Sequence, residues 1–222
     1  MACMDARIAD FNEAAELLPN GASLVIQDLQ WDDYEAVLEA LQHRHLRINY
    51  DCGRLEVMSP LSEHEIVTRI IDRMVSCYCD EFDIKLEGYG KTTWKRRSIE
   101  KGVEPDECYY IENATRIIGK REFDLEIDPP PDIVVEIDIT NTSLRKFSIY
   151  AALGVPEIWR WDRKMVHFHG LVGDSYTETE FSRFLPGLTG PIMAETIKAS
   201  AEFGQTEALK NFRKHLHASR SE

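Results

Sequence analysis

Two stretches of the chain put acidic residues where strands are expected. Glu104-Pro105-Asp106-Glu107-Cys108-Tyr109-Tyr110-Ile111 and Pro131-Asp132-Ile133-Val134-Val135-Glu136-Ile137-Asp138-Ile139 each set a proline ahead of a strand-like run. Their β-branched and aromatic content, without helical spacing, predicts strands, and the second run is apolar enough for a buried central one. Glu136 and Asp138 lie inside that run two residues apart, hence on one face. An unpaired carboxylate is costly there, and a cation relieves the cost. Paired acids on neighbouring strands therefore suit a divalent metal site.

The elements that must position these acids are legible. Trp31, Tyr34, Val37, Leu38 and Leu41 form a helical stripe after a cap at Gln27 to Gln30. Leu46 to Tyr50 and Arg54 to Met58 alternate around Asp51-Cys52-Gly53, which predicts a hairpin. After Ser59-Pro60, Ser62 is expected to cap a helix from Glu63 to about Cys79, with Ile66, Ile70, Met74 and Val75 toward the core. Thr140-Asn141-Thr142-Ser143 ends the acidic strand and caps a helix running to about Leu153, which Gly154 stops. Pro156 to Trp161 and Met165 to His169 read as a closing strand pair, and residues 193–215 as one amphipathic helix. With no repeat or linker, the layout is a lead-in (1–24), a core domain (25–192), and a C-terminal helix and tail (193–222). The expected class is α/β, a mixed central β-sheet flanked by helices.

Composition narrows the function. With 222 residues and 43% hydrophobic content the chain can bury one sizeable core, and no apolar run approaches the roughly 20 residues of a membrane span. The start MACMDARIAD lacks a signal peptide's basic flank and apolar stretch, and five cysteines cannot all pair, so a cytoplasmic location is expected. Cys77 and Cys79 have no second pair at zinc spacing. A net charge of −13 argues against whole-surface binding to nucleic acid. Lys91, Lys95, Arg96, Arg97 and Lys101 nevertheless crowd one stretch, which reads either as a solvated edge hairpin or as a surface for DNA phosphates.

Several motifs, in order over roughly residues 25–170, give the chain a family likeness: Met58-Ser59-Pro60, Glu63-His64 opening a helix, Glu104-Pro105-Asp106, Pro131 to Ile137, Lys146 with Tyr150, and Gly154-Val155-Pro156-Glu157-Ile158-Trp159. In these the chain resembles the Uma-type family of bacterial proteins described as putative restriction endonucleases, of the PD-(D/E)xK nuclease superfamily. The resemblance implies a restriction-endonuclease-like fold and Mg²⁺-dependent hydrolysis of phosphodiesters. It also implies a lysine two residues after the glutamate, where this chain has Asp138.

Phosphodiester hydrolysis needs a neutralised phosphate and an activated water, which Mg²⁺ (or Mn²⁺) on one or two carboxylates supplies. Asp106 and Glu136 are the expected ligands, with the Ile137 backbone carbonyl as a third. Lys146, in the first turn of the next helix, tilts back toward the strand end and can replace the missing lysine. Glu63 matches the helix-one acid that often contributes in the superfamily. Plainer readings stand beside these. Asp106 and Asp132 suit surface acids that open strands, Asp138 with Lys146 suits a structural ion pair, and Glu63 with His64 suits a helix start.

His167 and His169 share a strand face without a completing ligand nearby, His43 and His45 flank a helix end, and Trp159, Trp161 and Phe168 suit the core or a homodimer face. There is no Ser-His-Asp order, Walker loop or dinucleotide glycine motif. Three functions remain: a Mg²⁺-dependent DNA endonuclease, a degenerate nuclease-fold module that only binds nucleic acid or protein, and a metal-dependent hydrolase of smaller phosphorylated substrates.

Overall fold

The computed structural model describes residues 2–139 and 143–219. Helix α1 (Ala2–Glu16) and strand β1 (Ser23–Ile26) lead into α2 (Trp31–Leu41), which buries its predicted stripe at Trp31, Tyr34, Val37 and Leu41. Strands β2 (Arg47–Asp51) and β3 (Arg54–Met58) follow, joined by Cys52 and Gly53 at φ 45° and 92°, the mirror-image turn that matches strand twist. Helix α3 (Ser62–Phe82) ends at Asp83, and β4 (Glu87–Gly88), β5 (Trp94–Arg96), β6 (Lys101–Val103) and β7 (Glu107–Tyr110) succeed it. Next come α4 (Ala114–Ile117), β8 (Ile133–Ile137), a 3₁₀ turn (Ser143–Lys146) and α5 (Phe147–Leu153), stopped by Gly154 at φ 81°. Strands β9 (Glu157–Trp161), β10 (Val166–Val172) and β11 (Ser175–Thr179) and helices α6 (Gly190–Phe203) and α7 (Gln205–Ser219) complete the order.

The class is mixed α/β, and the strands divide between two sheets rather than gathering in one. The first runs β1-β3-β2-β6-β5 and the second β11-β10-β9-β8-β7-β4. Pro105 makes the division: it has no N–H for a ladder, so the chain leaves the first sheet after Val103 and joins the second at Glu107. β8 is buried along its whole length, antiparallel to β7 and parallel to β9. Its odd-numbered residues Ile133, Val135 and Ile137 pack with α3, α6 and α7, while Val134 faces α5. A third cluster joins α1 and α2 to the first sheet. Gly102 on β6 meets α2 so closely that a Cβ would overlap the Tyr34 side chain.

Several expectations are corrected. The lead-in contains α1, whose Ala15 is fully buried. Ile66 is 56% exposed, turned away from the core stripe of α3, and Ser62 lies inside that helix, which Leu61 caps without a side-chain bond. Gly204, at φ 84°, breaks the C-terminal segment into two helices. Asp132 opens its strand buried, taking the N–H groups of Ile111 and Asn113. Of the expected capping run, Thr140 to Thr142 lie outside the described residues. Trp159, Trp161 and Phe168 fill the core. Among the described residues no helix is long and apolar enough to cross a membrane.

Candidate active site

Where Pro105 hands the chain from one sheet to the other, the β7 ladder has not yet begun, and Asp106 substitutes for it. Its N–H donates to the Val135 carbonyl at 3.1 Å, and its Oδ2 accepts the Ile137 N–H at 2.8 Å. The carboxylate is thus pinned beside the end of β8. The N–H and C=O of one strand residue point the same way, so the Ile137 carbonyl shares that edge. Glu136, one residue earlier, projects from the opposite face of β8, toward α5.

α5 and its lead-in answer Glu136 with two groups four residues apart, on one side of a helical turn. Lys146 Nζ lies 2.9 Å from Oε2 and 3.1 Å from Oε1, and reaches the Glu104 carbonyl at 3.4 Å. The Tyr150 hydroxyl donates to Oε1. Asp106 has its own nitrogen neighbours. Arg47 Nη2 donates to Oδ1 at 3.4 Å, and His64 Nδ1 stands 3.6 Å from Oδ2. That separation is beyond a hydrogen bond, and His64 Nδ1 is buried without a hydrogen-bond partner.

Both acids are 2% exposed, but their protonation differs. Burial raises Asp106, yet the adjacent His64, Lys146 and Arg47 outweigh it and hold the carboxyl to about 2. Glu136 is pushed up to about 7 by burial, with the Asp106 charge adding and Lys146 and Tyr150 opposing. Burial lowers Lys146, but Glu136 and Asp106 overcome that and keep its pKa raised, so it remains a cation.

Asp106, Glu136, Ile137, His64, Arg145 and Lys146 line one cavity of about 40 Å³, and Asp138 reaches it too. At 10–15 Å³ for each water, that is room for about three waters or a hydrated ion, and not for a nucleotide. Asp138 is not the partner of Lys146: its Oδ2 accepts from Arg160 Nε at 2.6 Å, on the neighbouring strand. Glu63 is turned outward, 48% exposed and 3.8 Å from Arg163, while the next residue, His64, faces the cavity. Arg47 and Glu104 escaped the sequence reading as site residues. The signal for Glu104 was its place in the Glu-Pro-Asp motif; Arg47, an arginine opening a buried strand, offered only the cost of burying a charge.

Among the described residues no set of three or more His, Cys, Asp or Glu is arranged to hold a metal. The basic stretch is largely engaged: Lys91 pairs with Glu65, Lys95 with Glu35, Arg97 with Asp32 and Lys101 with Asp51. Arg96 donates to the carbonyls of Leu125 and Leu153.

A mixed α/β fold with buried acids meeting at a strand break defines a class, and comparison names it. The model of the Uma2 family, described as "Putative restriction endonuclease", matches residues 31–201. The chain belongs to that family, and its membership supports a nuclease function acting on nucleic acid. A solved structure titled as a putative nuclease belonging to DUF820 from Anabaena variabilis ATCC 29413 is 14% identical, covering 66% of this chain and 83% of that one at a TM-score of 0.43. No curated protein matches the chain.

Proposed function

We propose that the protein is a metal-dependent endonuclease that hydrolyses DNA phosphodiesters, with Mg²⁺ or Mn²⁺ held by Asp106, Glu136 and the Ile137 carbonyl. The observation that carries this reading is the convergence of two buried acids and one half-buried lysine on a single ion-sized cavity. The donors fit: all are hard oxygens, the acids repel each other, and a cation, Lys146, already pairs with Glu136 and feels the charge of Asp106. Bound there, the ion would supply positive charge to the scissile phosphate and acidify a water.

The chain's own residues do the rest. Arg47 and the Ile137 N–H keep Asp106 ionised and oriented. Tyr150 fixes Glu136. With Glu136 as a ligand of the ion, Lys146 would be free to hold a phosphate oxygen or the attacking water in the role of the missing lysine. Asp138 stays neutralised by Arg160 at the cavity edge. Glu63 stands too far outward for this set and serves the helix start. DNA approaches over the cavity mouth, where Arg145 is exposed, and along residues 91–101, where phosphates displace half-exposed acids from weak surface pairs. The free thiols of Cys52, Cys77, Cys79 and Cys108 suit a cytoplasmic location.

A second reading, a module that binds without cutting, is favoured by one observation: both oxygens of Glu136 are taken by Lys146. Calorimetry with Mg²⁺ and Mn²⁺, alongside cleavage of supercoiled DNA, separates the two. The nuclease reading expects saturable ion binding and nicking, both lost in Asp106→Asn. Ion binding without cleavage, or neither, supports the binding module.

A further inference from the structure

A second cluster of cations adjoins the acids and shares Arg47 with them: its Nη2 lies 3.4 Å from Asp106 Oδ1 and 3.6 Å from Glu65 Oε1. β2 and β6 pair only at Tyr50 and Asp51, so the strands splay apart toward Arg47. The Glu104 carboxylate fills the first gap, accepting the Ile48 N–H and the Thr93 hydroxyl. Beyond it opens a cavity of about 350 Å³, the size of a small-ligand site. Leu38, Leu41 and Leu46 floor it, and Arg44, Arg47, Lys91 and Lys95 bring positive charge to its wall.

Three nitrogens at its edge converge on one oxygen. Glu65 Oε1 receives Lys91 Nζ, with His45 Nε2 at 3.3 Å and Arg47 Nη2 at 3.6 Å. Glu65 comes from α3 and is 40% exposed, so it can swing to solvent. Arg47 cannot: its side chain is 2% exposed, and its Nε is buried with no hydrogen-bond partner. Asp106 Oδ1 and Glu65 Oε1 both sit on Nη2 and leave the Nε donor unmet, whereas the several oxygens of a phosphate taking the place of Glu65 can engage the guanidinium at two points. Arg44 and Lys95 are likewise countered by half-exposed acids, Glu16 and Glu35.

We propose that Arg47, His45 and Lys91 form a phosphate-binding site, which the Glu65 carboxylate fills in the free protein and a phosphate group of a nucleic acid displaces. That the phosphate belongs to a nucleic acid rests on the nuclease reading; affinity for phosphate itself does not. The phosphate is either an internal phosphodiester of a bound strand or the terminal monophosphate of a nucleotide or cut end.

The test uses the full chain without added metal and titrates inorganic phosphate by calorimetry, so its result is independent of cleavage. Binding to one site is expected, weakened about tenfold or more in Lys91→Gln, which removes a charge-assisted donor, and tightened by a similar factor in Glu65→Gln, which removes the competing anion. Both substitutions are at the surface and leave the core intact. A 5′-mononucleotide and a dinucleotide without terminal phosphate then distinguish the two sources: the tighter binder names the source. The proposal is overturned if neither the parent nor Glu65→Gln binds phosphate, or if Lys91→Gln binds as the parent does.

Discussion

Lys146→Met asks whether the half-buried lysine belongs to Glu136. Removing one partner of a buried ion pair costs about 3–5 kcal/mol when the other must stay charged. Glu136 has an escape. Its carboxyl stands at about 7 against an ordinary 4.5, mainly through burial, and Lys146 is one of the groups pulling it down. Without the lysine it rises further, so the folded variant holds a proton through neutral pH while the unfolded chain does not. The side with the raised pKa binds more protons, so stability falls as pH climbs. The loss should therefore be about 1–2 kcal/mol at pH 6, where Glu136 is neutral and Tyr150 still bonds it, and grow to about 3–5 kcal/mol at pH 8.5. Urea unfolding at the two pH values measures it, and Glu136→Gln in the same background should recover most of the loss at the higher pH. Asp138→Asn should recover none, because Asp138 is held by Arg160. Single-turnover cleavage should drop roughly 10²-fold in Lys146→Met, the scale of losing a positioned catalytic group. A pH-independent loss, rescue by Asp138→Asn, or undiminished cleavage would each refute the assignment.

Asp106, held to about 2 against an ordinary 3.8, contributes stability above the higher value that disappears as pH falls to the lower. About 2 kcal/mol of acid sensitivity should vanish in Asp106→Asn, measured by unfolding between pH 5 and pH 2. Lys95→Gln with Arg97→Gln should reduce the slope of log affinity for DNA against log salt by up to about two, and an unchanged slope places DNA elsewhere. Gly102→Ala should cost about 1–3 kcal/mol by pressing on Tyr34, with part recovered by Tyr34→Phe; equal melting temperatures would show that α2 yields there.

Local signals told most of the fold. The stripe of α2 was read at its observed ends, and the hairpin of β2 and β3 within a residue, because apolar spacing and a glycine turn are properties of adjacent residues. The outward Ile66 was missed because it depends on what packs against the helix, whereas Gly204 is a local helix-stop signal that the reading of one continuous helix passed over. At the site, Asp106, Glu136 and Lys146 do meet, as their motifs suggested. The partners were less legible. Lys146 was weighed against Asp138, eight residues away, yet it reaches Glu136, and Asp138 found Arg160 across a strand pair that no local pattern announces. The basic stretch looked free in sequence because its acids, Asp32, Glu35, Asp51 and Glu65, lie far back along the chain.

The residues on either side of Pro105 grip different sheets: Glu104 holds the Ile48 amide of the first, and Asp106 the Ile137 amide of the second. Proline fixes its own φ, so the link between these grips is stiff. Fluctuations that part the sheets must therefore release both amides together, and hydrogen exchange should find Ile48 and Ile137 opening as one cooperative unit. The acids would then scatter at the moment the sheets separate, so that slow exchange at two backbone positions reports how long the catalytic geometry persists between openings.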